Sequence, residues 1–339
     1  MRRLLRVGFG LLLLCTLGVA AWLWQDYTRF ADAPLALGAK ERVLDVPLGT
    51  PFTRIVGQLR QRDLTTAPLV YWRLLAWEMR VSDGLHAGEY AIEQGLTPRA
   101  LLDRMARGEV VQHRVSFVEG STFRELRAVL AKEDALEQAA AAMSDAEVMA
   151  AIGASGQHPE GRFLPETYAY TRGMKDLDVL RRAHGAMSKA VQEAWEARRP
   201  DLPLKSPDEL LVLASIVEKE TGRADERETI AGVFMRRLKI GMRLQTDPTV
   251  IYGVGPSFDG NLTRAHLQTD TPWNTYTRAG LPPTPIAAPG RAALRAVAQP
   301  ADGEALYFVA RGDGSHQFSA TLGEHNAAVA RWQLRRGGR

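Results

Sequence analysis

Hydrophobic and polar positions divide the chain into segments of different period. Val7 to Trp24 is eighteen residues without a charge, preceded by Arg2, Arg3 and Arg6 and closed by Asp26. At about 1.5 Å per residue a helix of that length nearly crosses a hydrocarbon core of roughly 30 Å. Arginines before it, and Trp22 and Trp24 at its far end, predict an N-in orientation with an aromatic interfacial anchor. A cleaved signal peptide is the competing reading, because Gly18-Val19-Ala20 resembles a cleavage site. Apolar residues continue past that point, which favours retention. Leu14 before Cys15 argues against a lipoprotein signal, and on either reading the body of the chain is exported.

Beyond a loose linker over 26–40, containing Pro34 and Gly38, the period shortens. Arg42 to Val46 alternates as a strand, and Gly49-Thr50-Pro51-Phe52 opens a helix carrying Ile55, Val56 and Leu59. Thr66 to Met79 reads as a helix with Leu69, Trp72, Leu75 and Ala76 on one face. Gly88 to Ile92 reads as a strand, Thr97-Pro98 caps a helix through Met105, and Val110 to Val118 is a further strand. This is a small α+β module over 41–120. Residues 45–59 echo 116–130, with Gly49/Gly120 and Phe52/Phe123 in register. The echo fits a sugar-binding LysM-like unit, whose strand–helix pattern it resembles, and equally an ordinary capped strand–turn–helix. Two copies are too few for a solenoid.

Residues 124–154 are rich in Ala and Glu and read as helical. Glu160 to Tyr168 (EGRFLPETY) is an ordered loop, and Leu177 to Arg198 an amphipathic helix. Ser206 to Gly222 (SPDELLVLASIVEKETG) then stands apart. Ser206 with Glu209 reads as a capping box, Pro207 suits the first helical position, and Gly222 is a natural stop. LLVLASIV between them is apolar on every face, as in a helix inside a core. Two carboxylates, Glu218 and Glu220, fall in its last turn, where the helix dipole favours cations. Burial and the dipole both raise the pKa of a carboxyl placed there, the direction a general acid requires near neutral pH. Glu218 shares its face with Leu211, Ala214, Ser215, Thr221 and Gly222, mostly small residues, which leaves room for a substrate. Glu220 shares its face with Leu213, Ile216 and Val217, which indicates packing. Glu218 is the stronger candidate; the bland alternative makes both solvated residues paired with Lys219 or Arg223.

Asp225 is expected to cap a helix running to Gly241. Met242 to Val250 reads as a strand-like run into an Asp–Pro helix start, with Asp247 as N-cap and Gln245 and Thr246 as turn or sugar-binding groups. Asn274-Thr275-Tyr276 and the proline-stiffened 280–285 suit a saccharide groove, where amides and hydroxyls bond sugar and aromatic faces stack on it. Leu306 to Ala310 and His316 to Ser319 form a hairpin, followed by a closing helix from Leu322 to Leu334. His316 and His325 read as structural.

The formal charge of +4 includes seven arginines at the two ends, so the body carries −3 and offers no nucleic-acid-binding face. One cysteine, Cys15, excludes internal disulfides and thiolate metal sites. Seven scattered histidines show no HExxH-type pair.

Four long stretches then resemble one family. LASIVEKET (213–221), RRLKIGMRLQTDPTVIYGVG (236–255), NTYTRAGLPPTPIAAPG (274–290) and LYFVARGDGSHQFSATLGEHN (306–326) look like the endolytic murein transglycosylases of the MltG/YceG type. EGRFLPETYAY and the single N-terminal apolar helix fit as well, with Arg162-Phe163 standing where two aromatics are expected. The resemblance implies cleavage of MurNAc–GlcNAc β-1,4 bonds in nascent peptidoglycan strands to leave 1,6-anhydro-MurNAc ends, which limits strand length. It carries the catalytic glutamate onto Glu218. Gln245, Thr246, Asp247, Asn274 and Tyr276 become candidates for substrate positioning, with no metal or cofactor. It also implies partnership with peptidoglycan synthases (penicillin-binding proteins) and a single-pass place in a bacterial inner membrane with the catalytic part in the periplasm. The expected layout is a cytoplasmic 1–6, a membrane helix 7–25, the linker, the LysM-like module, and a mixed α/β catalytic domain over 121–339 that includes a helical connector. Rival readings are a hydrolytic muramidase, with Asp247 activating water, and a non-enzymatic peptidoglycan-binding division scaffold.

Overall fold

The computed structural model describes residues 2–36, 43–82 and 84–333. The chain divides into two compact units, residues 1–113 with 171–173, and residues 114–170 with 174–339.

In the first unit α1 (Arg2–Asp32) is followed by β1 (Val43–Val46), α2 (Phe52–Gln61), α3 (Leu69–Glu78), β2 (Gly88–Ala91) and α4 (Pro98–Arg107). The two strands pair antiparallel, Val43 opposite Ala91 and Val46 opposite Gly88. Their inward residues, Leu44, Val46 and Tyr90, bury against Ile55, Val56 and Leu59 of α2, Trp72 and Leu75 of α3, and Leu101, Leu102 and Met105 of α4. The expected linker is helical as far as Asp32 because Tyr27 and Ala31 are part of this same core; residues 33–36 are irregular, and 37–40 and Arg42 lie outside the described residues. Helix α3 begins at Leu69 rather than Thr66. Pro68 holds the N-cap position in extended backbone, and proline disfavours helix in the residue before it.

The second unit contains β3 (His113–Ser116, its first residue closing the first unit), α5 (Phe123–Leu130), α6 (Asp145–Ala151), β4 (Thr167–Tyr170) and α7 (Asp176–Glu196). There follow α8 (Pro207–Glu220), α9 (Arg227–Lys239), α10 (Asp247–Val254), α11 (Arg264–Gln268), α12 (Arg291–Ala298), β5 (Tyr307–Ala310), β6 (His316–Ser319) and α13 (Leu322–Trp332). Strands β3 and β4 pair, and β5 and β6 form the expected antiparallel hairpin, Tyr307 opposite Ser319. Leu334 of the expected closing helix lies outside the described residues. Two apolar cores fill the unit. One joins Val115, Phe117, Phe123 and Leu126 to Tyr168, Tyr170 and the first half of α7. The other surrounds α8 with the second half of α7, α9 and α12.

The repeat seen in the sequence has a matching backbone. Gly49 after β1 and Gly120 after β3 both take φ 77°, the left-handed region that favours glycine. The following helices start differently: Thr122 and Glu125 close a capping box on α5, whereas Pro51 supplies no side-chain cap to α2. Further on, Asp225 does not cap α9. It is held by Arg223 at 2.6 Å, and Glu226 precedes the helix without a side-chain cap. Met242 to Thr246 forms no strand, since Gln245 N–H to Thr275 C=O is its one backbone bond to the neighbouring loop.

Candidate active site at the end of α8

Every residue of α8 from Leu210 to Val217 is buried. Burying each large aliphatic side chain contributes about 1.5–3 kcal/mol, ample to hold a rigid rod with a charged end. Ser206 Oγ accepts the Glu209 N–H as expected, but the Glu209 carboxylate reaches past Ser206 to the Lys205 N–H at 2.6 Å, so only half of the capping box forms. The helix stops because Thr221 turns extended (φ −148°, ψ 133°), not through a left-handed Gly222.

Residues two apart on a helix leave it about 200° apart, so the two glutamates serve different surroundings. The Glu218 side chain is 7% exposed. Its Oε2 accepts the Gly290 N–H at 2.9 Å, and Arg227 Nη2 lies 4.0 Å from its Oε1. The small face expected to leave room for substrate is occupied by the 286–290 segment: Ser215 Oγ accepts the Ile286 N–H at 3.0 Å one turn earlier. A Cβ at Gly290 would fall 1.8 Å from Glu119 Oε1, so any larger residue here displaces the Glu119 carboxylate. Burial pushes the Glu218 carboxyl above its ordinary range and the nearby Glu119 charge adds to this, while the Gly290 N–H, Arg227 and Lys219 oppose it.

Glu220 is also held above the ordinary carboxylate range by burial, against the lowering effect of the Thr246 hydroxyl that donates to it. The other sequence candidates gather here, around Glu220. Thr246 N–H donates to Thr275 Oγ1 at 3.1 Å, and Thr249 Oγ1 donates to the Thr246 carbonyl at 2.7 Å. With its one proton so used, Thr249 receives the Thr275 hydroxyl at 2.9 Å, and the ring of threonines closes. Thr246, and not Asp247, is the N-cap residue of α10. The exposed Asp247 accepts from the Tyr276 hydroxyl at 2.6 Å, and burial, with the carboxylate beside that phenol adding to it, raises the tyrosine pKa. Asn274 is fully buried. Its amide donates to the carbonyls of His266, Leu267 and Thr269 and accepts the Tyr276 N–H, so its side chain acts on the loop that carries Thr275 and Tyr276.

Gln245 is exposed and holds φ 49°, a left-handed backbone that costs a non-glycine residue about 1 kcal/mol or more. Strain retained at a surface position beside the site points to a use for its side chain. Gln245→Gly is therefore expected to keep or slightly raise the melting temperature. A lower melting temperature would show that the side chain is held there for structure.

The second unit also carries a cleft of about 690 Å³ lined by Phe123, Glu160, Lys219, Tyr252, Phe258 and Trp273, among others. Lys219 of α8 reaches it, while Glu218 is not on its wall. Glu160 is 5% exposed, accepts the Phe123 N–H at 2.9 Å and the Tyr252 hydroxyl at 3.2 Å, and is raised by burial to about 7. Glu160, Arg227 and Glu119 were not singled out by the sequence. Gly161 is the local clue to Glu160, since φ 75° and a Cβ position 2.4 Å from Pro285 demand glycine beside it.

Comparison with known proteins places the chain in a family. The chain is 28% identical over 324 residues to an endolytic murein transglycosylase of Bacillus subtilis strain 168, covering 90% of this chain and 89% of that protein. It is 25% identical to an endolytic murein transglycosylase of Streptococcus pneumoniae serotype 2 over 94% of its own length, and spans 64% of that longer relative. The 2.6 Å crystal structure of a YceG-like protein from Listeria monocytogenes matches with a TM-score of 0.55 at 26% identity, covering 86% of this chain and 100% of that one. The model of the YceG-like family matches residues 44–331, and the chain belongs to that family.

Proposed function

We propose that the chain is an endolytic peptidoglycan lytic transglycosylase, cutting MurNAc–GlcNAc β-1,4 bonds with Glu218 as its single acid and base. The observation that carries this reading is the Glu218 carboxyl, buried at the end of a rigid apolar helix, raised by burial, and touched by one backbone donor. The relatives named endolytic murein transglycosylases support it, matching across nine-tenths or more of this chain.

Protonated Glu218 gives its proton to the glycosidic oxygen as the C1–O bond breaks, and positive charge develops at C1 of MurNAc. The carboxylate so formed is held by the Gly290 N–H and faced by the Arg227 guanidinium. It then takes the proton of the C6 hydroxyl as O6 bonds to C1, closing the 1,6-anhydro ring. Glu218 ends protonated, and no water is consumed. One carboxyl suffices, unlike hydrolytic glycosidases, which use two. Gln245, Thr246, Asp247, Asn274 and Tyr276 position the strand in this reading, Thr246 and Asn274 by fixing the rim that bears the other three.

The first unit, a two-stranded sheet packed with helices, supports the LysM-like reading of 41–120 and a role in holding glycan. The exposed apolar helix α1 supports a single-pass inner-membrane anchor with the enzyme in the periplasm, where synthases (penicillin-binding proteins) extend nascent strands.

Purified protein acting on sacculi is expected to release fragments ending in 1,6-anhydro-MurNAc. Reducing MurNAc ends would favour the muramidase reading, and no cutting at all the scaffold reading. A second expectation concerns Glu119. Its charge raises the Glu218 pKa, so Glu119→Gln is expected to move the alkaline limb of the kcat profile to lower pH, with the acidic limb unchanged. An unmoved limb would remove Glu119 from the account.

A further inference from the structure

Helix α3 packs against α1 just beyond the apolar run. Near its start, the Tyr71 hydroxyl donates to Asp26 at 2.9 Å; at its end, Glu78 accepts from the Tyr27 hydroxyl. Residues 71 and 78 are about 10 Å apart along α3, yet both meet residues 26 and 27 of α1, so both ends of α3 stay within side-chain reach of one level of α1. The rings of Tyr27 and Tyr71 at 5.8 Å, and of Phe30 and Trp72 at 5.2 Å, pack the start of α3 against the same turns. Tyr27 is only about 4.5 Å of helix beyond Trp24. If α1 spans a bilayer, α3 is held at the level of the headgroups.

The face of α3 turned into the core is Trp72, Leu75 and Ala76. The opposite face, Val70, Arg73, Leu74 and Trp77, follows the i, i+3, i+4, i+7 spacing of a second stripe, and all four are exposed, Trp77 at 72%. Apolar side chains, a tryptophan and an arginine on one exposed helical face match the composition that sits at a lipid–water boundary. Arg80, also exposed, follows just past the end of the helix.

We infer that the Val70–Arg73–Leu74–Trp77 face of α3 docks on the outer surface of the bilayer that α1 spans, with Trp77 among the lipid headgroups and Arg73 meeting anionic phosphates. The inference rests on the proposed membrane anchor. Docking at a second point beside the anchor fixes the first unit against swinging about α1.

Full-length chain carrying Cys15→Ser and one new cysteine, Trp77→Cys or Leu74→Cys, is spin-labelled in phosphatidylethanolamine–phosphatidylglycerol vesicles. Glu304→Cys in the second unit serves as the aqueous control. Collision with oxygen relative to a water-soluble nickel complex is expected to be at least fivefold higher at 77 and 74 than at 304, and to fall in phosphatidylcholine vesicles. An equal ratio at 77 and 304, in protein that resists carbonate extraction, overturns the docking face while leaving the anchor. Exclusion of both colliders shows a covering protein surface and overturns it as well. Release by carbonate removes the anchor, and the docking face with it.

Discussion

Glu218→Gln is expected to lower kcat on glycan strands by at least about 10³-fold with no loss of thermal stability, the upper part of the range for removing a general acid. Glutamine is nearly isosteric, and its carbonyl can still accept the Gly290 N–H that Glu218 Oε2 accepts at 2.9 Å. What it cannot do is give and reclaim a proton. The stability sign follows from the raised pKa. A carboxyl whose folded pKa lies above its unfolded one contributes stability that is full below the unfolded value and lost as pH rises through the folded value. The glutamine variant escapes that loss, so it melts at or above wild type in alkaline buffer. Wild-type kcat should fall as pH rises through the Glu218 pKa. A variant that unfolds earlier at all pH values would show that Glu218 is needed for folding.

The largest stability effect is expected at Glu160→Gln. Burial raises Glu160 from 4.5 to about 7, a difference corresponding to about 3 kcal/mol between its protonation states. Its stabilising contribution is complete below about pH 4.5 and is lost as pH rises through about 7. Wild type should therefore lose stability between roughly pH 5 and 8. Glutamine keeps an acceptor for the Phe123 N–H and can donate to the Tyr252 oxygen, and it removes the titration. The variant is expected to melt roughly 6–12 °C above wild type at pH 8 and to match it at pH 5, the scale appropriate to a unit of this size. Parallel melting curves at the two pH values would remove Glu160 as the titrating group.

Much of this was legible in the sequence where local chemistry and packing agree. The eight-residue apolar run ahead of Glu218, with Ser206 and Pro207 in front of it, can be little other than a buried helix, and it is one. Glycine at 49 and 120 announced two equivalent turns, and the Gly-rich 311–315 announced the hairpin. The surroundings of Glu218 were not legible. Its backbone donor comes from residue 290, its cation from 227 and its neighbouring carboxylate from 119, contacts between segments that no periodicity links. Small residues on its face read as room for substrate; the fold filled that room with its own chain at 286–290. Asn274 read as a sugar ligand because a lone amide in a stiff loop looks available. Three carbonyls from the end of α11 and the turn after it claim its donors, which only the folded loop reveals.

In the proposed reaction the C6 hydroxyl of the substrate, and not water, closes onto C1 after Glu218 gives up its proton. Digestion of sacculi by the purified chain in H2 18O, followed by mass spectrometry of the new MurNAc ends, tests it directly. Ends free of heavy oxygen and lighter by one water than reducing ends are expected, and they should vanish with Glu218→Gln. Heavy oxygen at C1 of the new ends would contradict the account.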